Sequence, residues 1–156
     1  MKKTTLFWAL VLGSVILFSS CFSTPKFNVG DISADQGATV NFIGWVIIKK
    51  WNNIDIYDDL YDDKSIWSSN GKTQLTVPPG NNSFVFDIIF FLGRDAYKYT
   101  NIELQYNLLP GRKYDVGNTA KSLGFGRVAL SIEIYDVTNE KELLKEWKLR
   151  DDSQTR

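Results

Sequence analysis

The sequence predicts an all-β fold, a single β-sandwich of about 7–9 mainly antiparallel strands preceded by a signal helix and a flexible tether. Apolar and polar residues alternate with a period of two through most of the chain after Ala38, which places alternate side chains on opposite faces of a strand. Turn-forming residues interrupt this pattern about every 8–15 residues, a spacing typical of sandwiches and barrels. The chain is also 44% hydrophobic and 14% aromatic, which is too apolar for a disordered chain.

Three segments carry the alternation most clearly and are predicted to be the main strands, at residues 84–91, 102–108 and 128–135. In the first of them both faces become apolar near the end, at Ile89 and Phe91, as in a central strand or one covered by a loop. Shorter strands are predicted at 39–43, 46–50, 54–57, 73–77 and 113–116.

Two proline–glycine sequences are predicted to end strands. Val-Pro-Pro-Gly occupies positions 77–80, and Leu-Pro-Gly occupies positions 109–111. Proline sets φ at the first central position of a type II turn, and glycine supplies the positive φ at the second. Asn-Gly at 70–71 and Gly-Phe-Gly at 124–126 mark further loops.

The segment at 140–149 fits two different structures. Leu143, Leu144 and Trp147 would form a stripe along a helix, whereas Leu143, Trp147 and Leu149 would share one face of a strand. The preceding residues run from an alternating stretch into a turn. We therefore expect a final β-hairpin.

Length and composition narrow the possible chemistry. A chain of 156 residues supports one domain. The absence of histidine and the single cysteine exclude a Ser-His-Asp triad, an imidazole metal site, an internal disulfide and a thiolate metal site. Basic and acidic residues are equal at 18 each, so the overall charge does not indicate nucleic-acid binding. We expect no catalytic constellation, no nucleic-acid partner and no dissociable cofactor.

The N-terminus has the three parts of a secretory signal. A basic pair at 2–3 precedes a mainly apolar run at 6–18, and small residues then lead to Cys21. The apolar run is shorter than the roughly 20 residues that a transmembrane helix needs. The sequence therefore predicts export from the cytoplasm.

Phe-Ser-Ser-Cys at 18–21 resembles the lipobox of bacterial lipoproteins, with phenylalanine at the position usually held by leucine. The resemblance implies cleavage before Cys21, a thioether-linked diacylglycerol on its sulfur and an acylated amino terminus. Each buried methylene contributes about 0.8 kcal/mol, so several acyl chains hold a protein stably on a membrane. The alternative is an ordinary signal peptide with an incidental cysteine near the cut.

Four segments follow from this interpretation: a signal peptide at 1–20, a lipidated tether at 21–37, the sandwich at 38–150 and a disordered tail at 151–156. The tether is rich in small and polar residues and has little periodicity. Phe22 and Ser23 stand where some sorting signals carry acidic residues, which by resemblance favours the outer membrane. We expect a protein anchored to a membrane of the cell envelope.

The strand-ending turns also suggest a family. Pro-Pro-Gly at 78–80, the apolar strand after it and Leu-Pro-Gly-Arg-Lys-Tyr at 109–114 recur in this order. The pattern resembles that of small bacterial lipoproteins with a transthyretin-like or immunoglobulin-like sandwich, and it covers roughly residues 38–135. It implies a β-sandwich and no particular activity, because no function is assigned to that group.

Five aspartates are candidate ligands for a hard cation such as calcium. They are Asp55, Asp58, Asp59, Asp62 and Asp63. The spacing of an EF-hand is absent, and a solvated acidic loop is the alternative. Two such carboxyl groups facing each other across a cleft would also suit glycoside hydrolysis.

Five aromatic residues are candidate ligand-binding residues. They are Trp45, Trp51, Tyr57, Tyr61 and Trp67. Neighbouring amides and carboxylates would bind the hydroxyl groups of a sugar while its C–H face packs on a ring. The alternative is that these rings fill the core, since aromatic side chains bury about 150–250 Å² each.

These observations favour a non-catalytic bacterial envelope lipoprotein whose β-sandwich binds a protein or glycan partner. The alternatives are a purely structural or accessory envelope lipoprotein and a carboxylate-dependent hydrolase. Exposure of Trp45, Trp51 and Trp67 would favour a glycan-binding surface over a structural role. The hydrolase requires two carboxyl groups across a cleft.

Overall fold

The computed structural model describes residues 26–29, 32–61, 71–124 and 127–149. These residues form two packed β-sheets and one short helix, which confirms the predicted all-β class. The predicted signal helix, Cys21 and the tail at 151–156 lie outside the described residues.

The described part of the chain contains ten strands and one helix. The strands are β1 Lys26–Asn28, β2 Ala38–Ile43, β3 Trp45–Trp51, β4 Ile54–Asp55, β5 Lys72–Val77, β6 Gly80–Leu92, β7 Asp95–Leu108, β8 Lys113–Gly124, β9 Arg127–Asp136 and β10 Glu142–Leu149, and the helix α1 is Tyr57–Leu60. The number of strands exceeds the predicted seven to nine because β1 lies within the segment predicted to be a tether.

The larger sheet has six strands in the order β1-β5-β2-β8-β9-β10. β1 runs parallel to β5, and β2 runs parallel to β8, whereas the other neighbours are antiparallel. Phe27 of β1 packs against the core, so the packed domain begins before Ala38. A strand of three residues is too short to produce a detectable period, and sequence reasoning therefore missed it.

The smaller sheet has four strands in the order β4-β3-β6-β7. β6 and β7 form a long hairpin whose register runs from Gly80 opposite Leu108 to Leu92 opposite Asp95. The register shifts after Phe86, where Asn101 of β7 has a φ of 54°. This β-bulge places one extra residue on β7.

The core lies between the inner faces of the two sheets and is rich in aromatic rings. Phe42 of the larger sheet makes edge-to-face contacts with Phe84 and Phe86 of the smaller one, with both centroid distances at 5.4 Å. All three side chains are fully buried. The alternation predicted for β6, β7 and β9 therefore corresponds to inward-facing and outward-facing residues.

The predicted C-terminal hairpin is confirmed, because β10 pairs antiparallel with β9. A register shift between Leu143 and Lys145 changes which side chains face inward. Leu144, Trp147 and Leu149 pack against the core, whereas Leu143 is 51% exposed. The predicted strand face is therefore wrong at Leu143, because a β-bulge is not visible in the apolar pattern.

The structure also confirms the turn predicted at 109–111 and changes the strand predicted at 54–57. Gly111 has a φ of 68°, and the N–H of Arg112 donates to the carbonyl of Leu109 at 3.4 Å. β4 ends at Asp55, whose carboxylate accepts the N–H of Tyr57 at 3.1 Å. That side-chain hydrogen bond competes with strand pairing just before the short helix, whose N-cap is Ile56.

Candidate functional site

The predicted aromatic residues do not form one exposed cluster within the described residues. Trp51 is only 8% exposed, and its indole N–H donates to Asn82 Oδ1 at 2.7 Å. Trp45 is half-buried and contacts Phe91, with ring centroids 6.4 Å apart. Trp67 lies outside the described residues. Trp51 is therefore a core residue, and the interpretation that aromatic rings fill the core applies to it.

Tyr61 closes the free edge of β3. Its hydroxyl accepts the N–H of Ile48 at 3.1 Å and lies 3.3 Å from the carbonyl oxygen of Val46, to which it donates. Burial raises the pKa of Tyr61, which keeps this donor protonated. Tyr57 packs against it at 5.3 Å between centroids. This arrangement satisfies backbone groups that an edge strand would otherwise expose.

The described acidic residues of the predicted cation site are exposed. Asp58 and Asp59 lie in the first turn of α1, and Asp55 bonds the N–H of Tyr57. Asp62 and Asp63 lie outside the described residues. Within the described residues, no three acidic, histidine or cysteine side chains are grouped to hold a metal ion.

A different site lies where β6 begins and β7 ends. We call it the amide groove, a shallow depression of about 510 Å³. Its lining residues are Asn52, Asn81, Asn82, Ser83, Gln105, Tyr106, Asn107 and Lys145. Most of these side chains are neutral and polar, and Lys145 is the cation among them.

Strand register builds this groove. Ser83 pairs with Gln105 and Asn81 pairs with Asn107, so these four side chains share the outer face of the smaller sheet. Asn52 in the β3–β4 turn reaches the same face, and its Oδ1 accepts the N–H of Ser83 at 2.8 Å. Asn52 has a φ of 45°, a left-handed conformation that asparagine tolerates better than most residues.

Asn82 supports the groove from below. Its amide donates to the carbonyls of Pro78 and Gly80, both at 2.9 Å, while its oxygen accepts the indole N–H of Trp51. Its hydrogen-bonding atoms are therefore occupied, and it holds the turn before β6 against the core. By contrast, Asn81 and Asn107 are exposed, and their side chains make no hydrogen bond with another described residue.

Tyr106 is the aromatic residue among those that line the groove. Its ring lies 6.4 Å from Trp147 and 6.2 Å from Tyr114 in edge-to-face contacts. Lys145 Nζ lies 4.7 Å above the Trp147 ring. Burial raises the pKa of Tyr106, as do Tyr114 and Asp136, so its phenol stays protonated and can donate a hydrogen bond at neutral pH.

A buried carboxylate lies on the same sheet, outside the groove. Asp87 is 2% exposed and pairs with Lys49 at 2.8 Å and Lys98 at 3.4 Å. It also accepts the N–H of Asn101 at 2.9 Å, at the bulge of β7. These partners occupy the carboxylate, so Asp87 stabilises the fold locally.

Sequence reasoning missed the amide groove, although two signals in the chain indicate it. The Asn-Asn-Ser sequence at 81–83 follows a strand-ending turn, and polar positions at 105 and 107 alternate with the apolar face of β7. Only the hairpin register places these polar positions opposite each other. The amides are therefore far apart in sequence and adjacent in the sheet.

Comparison of the chain with models of known families, with curated proteins and with solved structures finds no match. Within the described residues, no helix has the length and apolar character needed to cross a membrane.

Proposed function

We propose that this chain is a non-catalytic lipoprotein of the bacterial cell envelope whose β-sandwich binds a glycan in the amide groove. The observation that carries the proposal is the grouping of exposed amides at Asn81, Gln105 and Asn107 on the outer face of the smaller sheet. The leader and the lipobox-like sequence around Cys21 support its location in the envelope.

The chemistry of the groove matches a neutral, hydroxyl-rich ligand. A primary amide donates and accepts hydrogen bonds at once, as a sugar hydroxyl does. Tyr106 alternates with Gln105 and Asn107 on β7, so its half-buried ring packs on the inner side, against Tyr114 and Trp147, and supports the groove. Because Asn82 is already fully bonded within the protein, it would position the groove without contacting the ligand.

A glycan array with the full chain carrying Cys21→Ala tests the groove. Each lost hydrogen bond contributes about 0.5–1.5 kcal/mol, so Asn81→Ala and Asn107→Ala together should weaken binding to the best glycan about tenfold. Asn139→Ala, at an exposed position in the β9–β10 turn, is the matched control and should bind normally. An array without ligands, or equal binding by both variants, would contradict the proposal; specific capture of an envelope protein at the groove would support the protein alternative.

Lipid attachment at Cys21 has an independent test. We expect Cys21→Ala to abolish palmitate labelling and retention in the outer membrane fraction, because the thioether requires the cysteine sulfur. Unchanged labelling or unchanged membrane association of this variant would refute the anchor, and it would leave the glycan proposal standing.

A further inference from the structure

The tips of two hairpins lie at the same end of the sandwich. Tyr99 follows the β6–β7 tip by a few residues, and its hydroxyl donates to the carbonyl of Val128 at 3.2 Å. Val128 follows the β8–β9 tip directly, and it pairs with Ser122. The two sheets are therefore joined near these strand ends, so the end of β6 and the end of β8 lie at the same end of the sandwich, called the tip end.

Both tips expose large apolar side chains. Phe91 near the end of β6 is 53% exposed, and Leu123 near the end of β8 is 44% exposed. Half-buried Trp45 contacts the Phe91 ring. Large apolar side chains exposed near the ends of these strands favour an apolar or interfacial environment over water.

The charges near the tips are mainly positive. Arg94 and Lys121 are exposed there, as is the carboxylate of Asp95, whereas the Lys98 ammonium is paired with Asp87. The opposite end of the sandwich has mixed charges, with Glu140 and Glu142 beside Lys113 and Lys141. The tip end is therefore complementary to an anionic surface.

The direction of β1 relates the tips to the N-terminus. β8 runs towards its tip, β2 is parallel to β8, and β5 is antiparallel to β2. β5 therefore runs away from the tips, and β1 is parallel to β5. Since β1 also runs away from the tips, its first residue, Lys26, lies at the end of β1 nearer to the tips.

The lengths of β8 and of the chain before Lys26 show how far the tips and Cys21 can each reach from the same row of residues. Lys26 pairs with Gln74, Gln74 with Asn41, and Asn41 with Asp115, so these four residues lie in one cross-strand row. Leu123 lies eight residues beyond Asp115 on β8, about 26 Å at the rise of a strand. Cys21 precedes Lys26 by five residues, a span of at most about 18 Å. The tips thus extend at least as far as Cys21 can.

We propose that the tip end is a membrane-docking surface, in which Phe91 and Leu123 enter the interfacial layer of a bilayer and Arg94 and Lys121 bind anionic phospholipid headgroups. An acyl group on Cys21 would hold this end against the bilayer, and in this respect the inference rests on the proposed anchor. The binding of the tips to lipid does not depend on it. The amide groove, at the start of β6 and the end of β7, then faces away from the membrane.

The orientation is tested with labels on the membrane-anchored protein. Cys21 is the only cysteine, and lipidation consumes its thiol, so Leu123→Cys introduces a single site for an environment-sensitive fluorophore. In vesicles of phosphatidylcholine and phosphatidylglycerol, we expect this label to be quenched by bromolipids. The same label at Asn139→Cys, at the opposite end, should remain in water. Equal quenching at both positions, or none at Leu123, would overturn the proposal.

Docking without the acyl anchor is measured by flotation, with the same vesicles, of full chains that all carry Cys21→Ala and the same leader, so that differences between them report on the tips alone. Phe91→Ser and Leu123→Ser together should reduce the bound fraction about tenfold. Leu109→Ser and Leu143→Ser together are the matched control, since these leucines are 49% and 51% exposed away from the tips, and they should leave binding unchanged.

The contribution of the positive charges to vesicle binding is tested by changing the lipid composition. Arg94→Glu should weaken flotation with phosphatidylglycerol vesicles and have little effect with phosphatidylcholine alone.

Equal flotation of the Phe91 and Leu123 variant and its control would refute docking by the tips. Because these readouts use vesicles without sugars, their failure is distinguishable from failure of the glycan proposal.

Discussion

Replacing Asp87 by alanine removes the carboxylate that links three strands of the smaller sheet. Asp87 on β6 is 2% exposed and binds Lys49 of β3, Lys98 of β7 and the N–H of Asn101 at the β7 bulge. Alanine would leave that N–H without its acceptor and both lysines without their buried counterion. We expect the variant to fold with clearly reduced stability.

The contacts of Asp87 set the size of the expected loss of stability. A hydrogen bond to a charged group contributes about 1.5–3 kcal/mol, which applies to the Asn101 N–H. The Lys49 and Lys98 side chains are 33% and 50% exposed, so each pair contributes only about 0.2–1 kcal/mol. Asp87→Ala should therefore lower the free energy of unfolding by about 2–5 kcal/mol. Asp87→Asn keeps an acceptor for the N–H and should lose only about 0.5–2 kcal/mol.

Urea denaturation followed by tryptophan fluorescence measures these differences. With a slope of about 1–3 kcal/mol per molar urea, a loss of about 3 kcal/mol moves the midpoint by about 1–3 M. Asp95→Ala, an exposed aspartate at the start of β7, is the control and should change stability by less than about 0.5 kcal/mol. Equal midpoints for Asp87→Ala and Asp95→Ala would refute the reasoning.

The same carboxylate makes stability depend on pH. Burial alone would raise the pKa of Asp87, but the hydrogen bonds from Lys49 and Asn101 and the charges of Lys49 and Lys98 outweigh it, and the pKa lies below its ordinary value of 3.8. The contribution is therefore complete above that value and disappears as the pH falls through the lower folded-state pKa. The stability difference between the native chain and Asp87→Asn should shrink in this acidic range, and a difference that grows on acidification would contradict the assignment.

Three further substitutions test the fold. Phe42→Ala removes the ring that packs on Phe84 and Phe86 and should lower the free energy of unfolding by about 3–5 kcal/mol in urea denaturation; a loss below about 1 kcal/mol would contradict its central position in the core. Tyr61→Phe removes the hydroxyl that bonds the edge of β3. The variant should have a free energy of unfolding lower by about 1–3 kcal/mol, and the amide hydrogen of Ile48 should exchange faster. Unchanged exchange at Ile48 would contradict the role of Tyr61 at this edge. Gly117→Val should stabilise β8 by about 0.5–1 kcal/mol, because a Cβ there meets no atom within 4 Å and valine favours strands; a lower melting temperature would contradict the open space above Gly117.

Local patterns predicted the fold class because they depend on near neighbours. The alternation in β6, β7 and β9, the Leu-Pro-Gly turn at 109–111 and the final hairpin all follow from side-chain period and backbone preference. The bulges at Asn101 and Leu144 could not be predicted in the same way. Each depends on a register between two strands, and the register reverses which side chains face the core.

The candidate site likewise has features that the sequence predicted and features that depend on the tertiary structure. The sequence indicated that aromatic rings and amides lie near one another, but it could not assign them to the core or the surface. The tertiary structure buries Trp51 and places the Tyr61 hydroxyl at the edge of β3. The exposed amides lie instead on the β6–β7 hairpin, where the register sets them opposite each other. Burial is decided by packing between sheets, which a one-dimensional pattern does not contain.

The sequence by itself determined the strand content, the turns, the absence of histidine chemistry and the expectation of a lipid on Cys21, because composition and short-range spacing carry this information. The tertiary structure decided three things. Strand register placed Asn81 opposite Asn107, the packing of the two sheets brought both hairpin tips to one end, and the parallel pairing of β1 placed Lys26 at the end of that strand nearer to the tips. Each of these depends on contacts between residues far apart in the chain, which only the folded arrangement brings together.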